Sequence, residues 1–236
     1  MAQYRYATEN QNYEDYAAGR VLFNQPGATS FPVRLASEIF QHGDELAGKG
    51  GGYCVYDPCC GTGYLLTVLG FLHGERIGAL YGADIDPAAV DFARRNLALL
   101  SPEGMAARIR QLEALRAQFG REAHAEALVS ARRLAERTRP HITTGAFVGD
   151  ATHAADDVAL PPVDMLICDV PYGRLKHWQG NESIHALLAA QRPLLRPGAV
   201  VAITTPKGIP VQHAAYQRLR RFSIGKRQVS ILQCVD

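Results

Sequence analysis

The sequence predicts an α/β fold with a mostly parallel sheet and an inserted helical hairpin. Three features lead there. Apolar runs of strand length alternate with amphipathic runs of helix length. Aspartates stand at or just past the ends of four strand-length runs, at Asp57, Asp84, Asp150 and Asp169. Residues 101–140 then break the alternation with two helix-period stripes. A chain of 236 residues, 47% hydrophobic, can bury the core of one such domain with an insertion.

Residues 1–30 are polar and tyrosine-rich (Tyr4, Tyr6, Tyr13, Tyr16) and show no period, so they are set apart as an N-terminal segment before a domain over 31–236. Ser30 with Pro32 in the first turn predicts a helix to about Leu46, with Val33, Leu35, Ile39 and Phe40 on its buried side. After Gly50-Gly51-Gly52, Tyr53 to Tyr56 reads as a buried strand, followed by a glycine-bearing turn and an apolar helix over about Tyr64 to Leu72. Ile77 to Ala83 is a second strand. Asp86 as N-cap and Pro87 at the first helical position open the next helix, with Val90, Ala93, Leu97 and Leu100 on one face. Met105, Ile109, Leu112, Leu115 and Phe119 form the first stripe of the hairpin; Leu128, Ala131, Leu134 and Ala135 form the second. The strands resume at Ala146 to Asp150 and Met165 to Asp169. A helix over Ile184 to Leu195, a strand over Ala199 to Thr205, a last helix over Val211 to Arg221 and a strand over Gln228 to Val235 complete the expected order.

No apolar run is long enough to span a membrane, and the first residues lack the apolar core of a signal peptide. The five cysteines are odd in number and contain no Cys-x-x-Cys pair, which argues against a disulfide framework or a zinc site and suits a reducing cytoplasm. The eight histidines are scattered, with no helical pair of metal-ligand spacing, so no metal is expected. Charge is uneven. From Arg174 to the end, ten Lys/Arg face two acids, although the whole chain carries only +2. Such a bias points to a polyanionic partner; the plainer reading is a solvated basic face. The hairpin, with eight Arg and five Glu, reads equally well as a scaffold arm or as an electrostatic handle for RNA.

Asp57-Pro58-Cys59-Cys60-Gly61-Thr62-Gly63 joins a buried strand to a helix. Its glycines permit a tight turn and close approach of a ligand to a helix N-terminus. Position 66 is Leu, so the third glycine of a dinucleotide fingerprint is missing, and no Lys-Ser/Thr pair makes it a phosphate loop. An acid at the strand end disfavours a pyrophosphate and suits an ammonium. The turn therefore favours a zwitterionic nucleoside. Asp84, 21 residues after Gly63, is placed to accept from ribose hydroxyls, while Asp86 is given to helix capping. Asp150, following Gly149, is placed to accept from an adenine amino group; its plainer reading is a turn residue. Asp169-Val170-Pro171-Tyr172 offers a carboxylate, a stiffened carbonyl and a flat ring, a set that suits a planar amine.

These motifs, in this order and spacing, resemble those of the class I S-adenosylmethionine-dependent methyltransferases over about residues 30–236. The resemblance implies a Rossmann-like seven-stranded sheet, mostly parallel with a reversed last strand. It also implies S-adenosylmethionine across the strand ends, held by Asp57, Cys59, Gly61, Gly63, Asp84, Ile85, Gly149, Asp150 and Ala151. In that family the tetrad at Asp169 marks transfer to exocyclic amines of adenine or guanine, and here Val170 replaces a frequent Pro. More narrowly, the chain is similar to the avilamycin-resistance methyltransferases of actinomycetes, which modify a guanosine of 23S ribosomal RNA. Phe31–Phe40, Asp57–Gly61, Asn96–Pro102 and Pro171–Gly173 with His177-Trp178 carry that likeness.

The expected chemistry is an in-line methyl transfer in which the protein aligns the reacting atoms. Asp169 and the Val170 carbonyl accept from the target amine and turn its lone pair toward the methyl carbon. Val170 in place of Pro leaves open whether the exocyclic amine or a ring nitrogen of guanine is methylated. Pro171 stiffens the turn, and Tyr172 and Trp178 stack on a base flipped from its helix. Arg174, Lys176 and the Arg218, Arg220, Arg221, Lys226 and Arg227 group are expected to hold RNA phosphates. The expected partner is 23S ribosomal RNA, naked or in the large subunit, met by a monomeric enzyme. Methylation of DNA adenine or of a small molecule is the alternative activity. A non-catalytic RNA-binding protein of the same fold is an alternative of another class.

Overall fold

The computed structural model describes residues 4–9, 11–26, 30–153, 160–171 and 181–235. One sheet contains β1 (Tyr53–Asp57), β2 (Ile77–Asp84), β3 (Thr143–Val148), β4 (Val163–Asp169), β5 (Leu195–Pro206), β6 (Tyr216–Ile224) and β7 (Arg227–Cys234). Their spatial order is β3-β2-β1-β4-β5-β7-β6. The first five strands pair in parallel, and β7 runs antiparallel to both β5 and β6. The expected sheet, mostly parallel with the last strand reversed, is therefore present. Its order reverses between β1 and β4, where open α/β sheets bind ligands at the carboxyl ends of the strands.

The central strands are apolar along most of their length because both faces are covered. Every residue of β1 is buried, as are the first six of β4. The helices are α1 (Val33–Ala47), α2 (Tyr64–His73), α3 (Pro87–Ala98), α4 (Pro102–Phe119), α5 (Glu122–Ala135) and α6 (Asn181–Gln191). One core, under α1, α2 and α3, contains Val55, Met165, Ile167, Ala202 and Ile231. The other, under α6, contains Tyr56, Leu166, Cys168, Ile203 and Leu188. From Met165 on, odd and even residues of β4 serve opposite cores, as the two-residue period of a strand requires.

Local signals set the helix ends. Asp86 caps α3 by accepting from the Ala88 amide at 2.9 Å, with Pro87 at the first position. Ser101 caps α4 by accepting from the Gly104 amide at 3.0 Å. The first long helix begins at Val33, later than Ser30: extended Pro32 precedes it, and its carbonyl accepts the first helical bond from the Ala36 amide. α6 stops at Gln191, short of the expected Leu195, because Pro193 has no amide proton to continue it. β3 starts earlier than expected and ends at Val148, leaving Asp150 beyond the strand.

The last predicted helix, Val211 to Arg221, is an error. Tyr216–Ile224 is an edge strand forming a hairpin with β7. A register shift between Arg218 and Arg220 breaks its two-residue alternation, which makes the segment look helical. The overlooked signal is Gly225: Ile224 pairs with Arg227 across a two-residue turn, and Gly225 has φ +59°. One common type of two-residue hairpin turn favours glycine at its first central position.

The N-terminal segment is stitched to the domain. Glu38, 1% exposed on α1, accepts from the backbone amides of Arg5, Tyr6 and Ala7 at 2.6, 2.9 and 2.8 Å. The α4–α5 hairpin grips the next stretch. Buried Arg108 donates to the carbonyls of Val21 and Arg20 at 2.9 and 3.2 Å, Arg133 pairs with Asp15 at 2.7 Å, and Arg137, just past α5, donates to the Tyr16 hydroxyl at 2.9 Å. Several of the arginines that suggest an RNA handle thus serve the scaffold.

Candidate active site

The turn after β1 is built on glycine geometry. Gly61 and Gly63 have φ +53° and +69°, a region that side chains disfavour. A Cβ on Gly63 would also lie 2.9 Å from the Ala93 Cα, so α3 can approach only a glycine there. The turn is docked on its neighbours: the Cys60 amide donates to the Ala83 carbonyl at 2.8 Å, and the Gly61 amide donates to Asp84 Oδ2 at 2.8 Å. Asn96, fully buried on α3, completes the clamp. Its amide nitrogen donates to the Thr62 and Phe23 carbonyls at 2.8 and 2.9 Å, and its oxygen accepts from the Phe23 amide at 2.7 Å. In sequence Asn96 carries only a family likeness; a polar residue among the apolar positions of α3 is the signal for its structural job.

The predicted cofactor residues gather at this strand end. Asp57, 2% exposed, accepts from the Cys59 amide at 3.0 Å. Burial drives its carboxyl well above the usual range, and the charges of Asp169 and Asp84 push the same way. Asp84 accepts from the Asp86 amide at 3.0 Å with the oxygen not used by Gly61. Each of its oxygens keeps a second lone pair for a ligand hydroxyl. Ile85, beside it, is a large apolar side chain left 63% exposed. The Gly149 amide donates to the Asp84 carbonyl at 3.0 Å, bringing Gly149, Asp150 and Ala151 alongside. Asp150 Oδ1 closes its own turn, accepting from the Thr152 amide and hydroxyl at 2.9 and 2.7 Å, and Oδ2 lies 3.1 Å from His153 Nδ1. Although desolvation opposes them, these hydrogen bonds and His153 hold the Asp150 carboxyl below its usual range. Ala151 is buried, and its carbonyl accepts from Gln191 at 2.9 Å.

Asp169 ends β4. Its Oδ1 is buried with no hydrogen-bond partner among the described residues. Burial pushes its carboxyl up to about 6, and Arg227 opposes the shift. Arg227 Nε lies 3.9 Å from Asp169 Oδ2, and its guanidinium sits 5.4 Å from the centre of the Phe31 ring. Val170 is buried, its amide donating to the Thr204 carbonyl at 3.2 Å, and Pro171 biases it toward extended backbone. Tyr172, Arg174, Lys176 and Trp178 lie outside the described residues.

Two of the expected phosphate contacts are committed elsewhere. Arg220 donates to Glu45 Oε2 at 2.6 Å and to His42 Nδ1 at 2.7 Å, and Tyr6 also donates to Glu45. Because Arg220 can only donate, His42 Nδ1 is the acceptor and Nε2 carries the proton toward Glu38, 3.2 Å away. Burial, which lowers the His42 value, agrees with a neutral ring. Arg221 donates to Gln228 Oε1 at 2.5 Å. Neighbouring strand residues face opposite sides of the sheet, so these two do not form one basic patch. Arg227, expected to bind phosphate with them, stands beside Asp169 instead.

Three carboxylates, Asp57, Asp84 and Asp169, thus share one end of the sheet near a helix N-terminus, with an open apolar side chain next to Asp84. That set fits a ligand bearing an ammonium, a sulfonium and a nucleoside, as S-adenosylmethionine does. Among the described residues no group of three His, Cys, Asp or Glu side chains could hold a metal ion, and no helix is long and apolar enough to cross a membrane.

Strand order and site together define the class I methyltransferase fold. Residues 2–227 match the family model described as rRNA methyltransferase AviRa. A 23S rRNA (guanine(2535)-N(1))-methyltransferase of Streptomyces viridochromogenes is 38% identical over 246 residues, spanning 100% of this chain and 98% of the relative. The solved structure of rRNA methyltransferase aviRa from Streptomyces viridochromogenes superposes with a TM-score of 0.86 at 36% identity, covering 97% of this chain and 95% of that one. A Listeria monocytogenes protein described as a class I S-adenosylmethionine-dependent methyltransferase shares the fold at 14% identity, with a TM-score of 0.52 over 91% of this chain and 63% of that one. The chain belongs to the AviRa family of rRNA methyltransferases.

Proposed function

We propose that this enzyme methylates N1 of a guanine in 23S ribosomal RNA, using S-adenosylmethionine. The observation that carries the reading is Asp169, a largely buried carboxylate whose Oδ1 lacks a partner among the described residues, at the end of β4. The choice of N1 over the exocyclic amine follows the name of the relative, a guanine N1-methyltransferase.

S-adenosylmethionine, when bound, supplies an electrophilic methyl group on a sulfonium. Asp57, the Cys59–Gly63 turn, Asp84 with Ile85, and Gly149–Ala151 hold it. Asp169 accepts the hydrogen bond of guanine N1–H and takes that proton as the N1–methyl bond forms and the methyl–sulfur bond breaks. The proton then passes to solvent. The Val170 carbonyl accepts from the neighbouring exocyclic amine, and Pro171 keeps that carbonyl in place. Tyr172 and Trp178 stack on the extruded base, and Arg174 and Lys176 hold flanking phosphates. The reaction belongs in the cytoplasm, where ribosomal RNA is modified. By the likeness noted above, modification of that guanine protects the ribosome from an orthosomycin antibiotic.

Incubation with tritiated S-adenosylmethionine and 23S rRNA, followed by primer extension and nucleoside mass spectrometry, tests the reading. One extension stop and N1-methylguanine are expected, since a methyl on N1 blocks pairing. Label in DNA alone, or none in 23S rRNA, would refute it.

A further inference from the structure

Asp169, Arg227 and Phe31 converge at the carboxyl end of the sheet, on the side covered by α1. The two-residue alternation that puts Met165 and Ile167 in the core under α1 carries Asp169 to the same face; Val229 and Ile231 do the same for Arg227. Arg227 is fixed by the β5–β7 ladder, where it pairs with Pro206, and by its place against the buried Phe31 ring. Its Nε is 3.9 Å from Asp169 Oδ2, a charge contact too long for a hydrogen bond. Oδ1 of the same carboxylate is the buried atom without a partner among the described residues.

We infer that Arg227 is the specificity-determining residue of the site: its guanidinium donates to O6 of the target guanine while Asp169 accepts from N1–H. The inference rests on the function proposed above. Guanine presents an acceptor at O6 next to a donor at N1, and a cation beside a carboxylate matches that order. Adenine presents a donor at its 6-amino group next to an acceptor at N1, so both contacts become repulsive. The cation has a second task. When N1 loses its proton, the electron pair left behind spreads onto O6, and a fixed donor there stabilises that charge. The transfer needs such help because guanine N1–H is a weaker acid than a carboxylic acid.

Among the described residues, the titratable and charged groups facing Asp169 are Arg227 on β7, Asp57 on β1 and the adjacent Cys168 thiol. Arg227 is the cation in this set, and it counteracts the upward pull of burial on Asp169. Removing it therefore raises the pH at which Asp169 becomes a competent proton acceptor. That shift follows from the nearby charge alone; the contact at O6 is read from the saturated transfer rate, which loss of a phosphate clamp would leave unchanged.

The test is single-turnover methyl transfer to saturating 23S rRNA by wild type, Arg227→Met and Arg227→Lys, across pH. Product nucleosides are identified by mass spectrometry, and S-adenosylmethionine binding is measured in parallel. For Arg227→Met, transfer should fall about 100-fold and the acid limb of the pH profile should move to higher pH. Its S-adenosylmethionine affinity should stay near the wild-type value, the check that the variant is folded. Arg227→Lys, which keeps the charge but loses the planar fork, should return the acid limb toward its wild-type position and recover part of the rate. Arg227→Met at the wild-type rate with an unmoved limb would overturn the inference, as would a defect confined to RNA affinity and its salt dependence. Should Arg227→Met fail to bind S-adenosylmethionine, Arg227→Lys decides: a wild-type rate overturns the inference, and a reduced saturated rate supports it. A wild-type product other than N1-methylguanine would overturn the parent reading and this one together; N1-methylguanine with an indifferent Arg227→Met would overturn this one alone.

Discussion

Asp169 carries a cost that the proposed chemistry accounts for. Burial raises its carboxyl to about 6, so ionising it in the folded protein is unfavourable. A group raised in this way contributes stability that is complete below its unfolded value and is lost as pH rises through about 6. Asp169→Asn should therefore stabilise the fold at pH ~7.5 by up to about 2 kcal/mol while abolishing transfer. Thermal melts at pH ~4 and ~7.5 check the sign, since the gain should vanish at the lower value. For the same reason, wild-type turnover should fall as pH drops through about 6. Gly63 makes the opposite kind of prediction. Its φ is +69°, and an added Cβ would stand 2.9 Å from the Ala93 Cα. Gly63→Ala should cost about 2–4 kcal/mol, read by denaturant unfolding. Among single residues, the acids of the turn after β1 and of the tetrad are legible in sequence because each stands at a strand end with a distinctive neighbour. The places of Asn96 and Arg227 are not, because their partners are distant in sequence and only the fold brings them together.

Among the elements, the hairpin and the N-terminal segment differ most from what their sequences suggest. The α4–α5 hairpin is located by its two stripes and by the Ser101-Pro102 start. Its purpose is not legible, since an arginine bound to a backbone carbonyl looks in sequence like one awaiting a phosphate. The N-terminal segment lacks periodicity because an extended strap is held through its backbone, and Glu38 is its anchor. Glu38→Gln should loosen residues 4–9 and cost about 1.5–3 kcal/mol, because a buried ion that accepts amide protons is replaced by a neutral group. Faster limited proteolysis near the N-terminus and a lower melting temperature are the expected readouts; unchanged cleavage would remove Glu38 as the anchor. The β6 error has a related root. A register shift and a glycine turn override a helix-like spacing that holds for only part of the segment.

For the molecule as a whole, the mostly parallel α/β architecture is the most legible property, because buried strands alternating with helices leave few right-handed ways to connect them. The seventh strand is implied only by the family likeness, since β6 reads as a helix. The basic excess after Gly173 is harder to read. As one stretch of sequence it suggests a single surface, but the fold gives Arg220 to Glu45, Arg221 to Gln228 and Arg227 to the neighbourhood of Asp169. RNA affinity should still fall steeply with salt, in a straight line on logarithmic axes, because a flipped base requires its flanking phosphates to be held. A flat response in a filter-binding titration would remove RNA as the partner. Everything proposed for this enzyme depends on methyl transfer to ribosomal RNA taking place at Asp169. The decisive measurement is single-turnover transfer to 23S rRNA by Asp169→Ala, with S-adenosylmethionine binding measured on the same protein. Transfer should drop by about 100-fold or more with cofactor affinity little changed; transfer at the wild-type rate would show that the chemistry happens elsewhere.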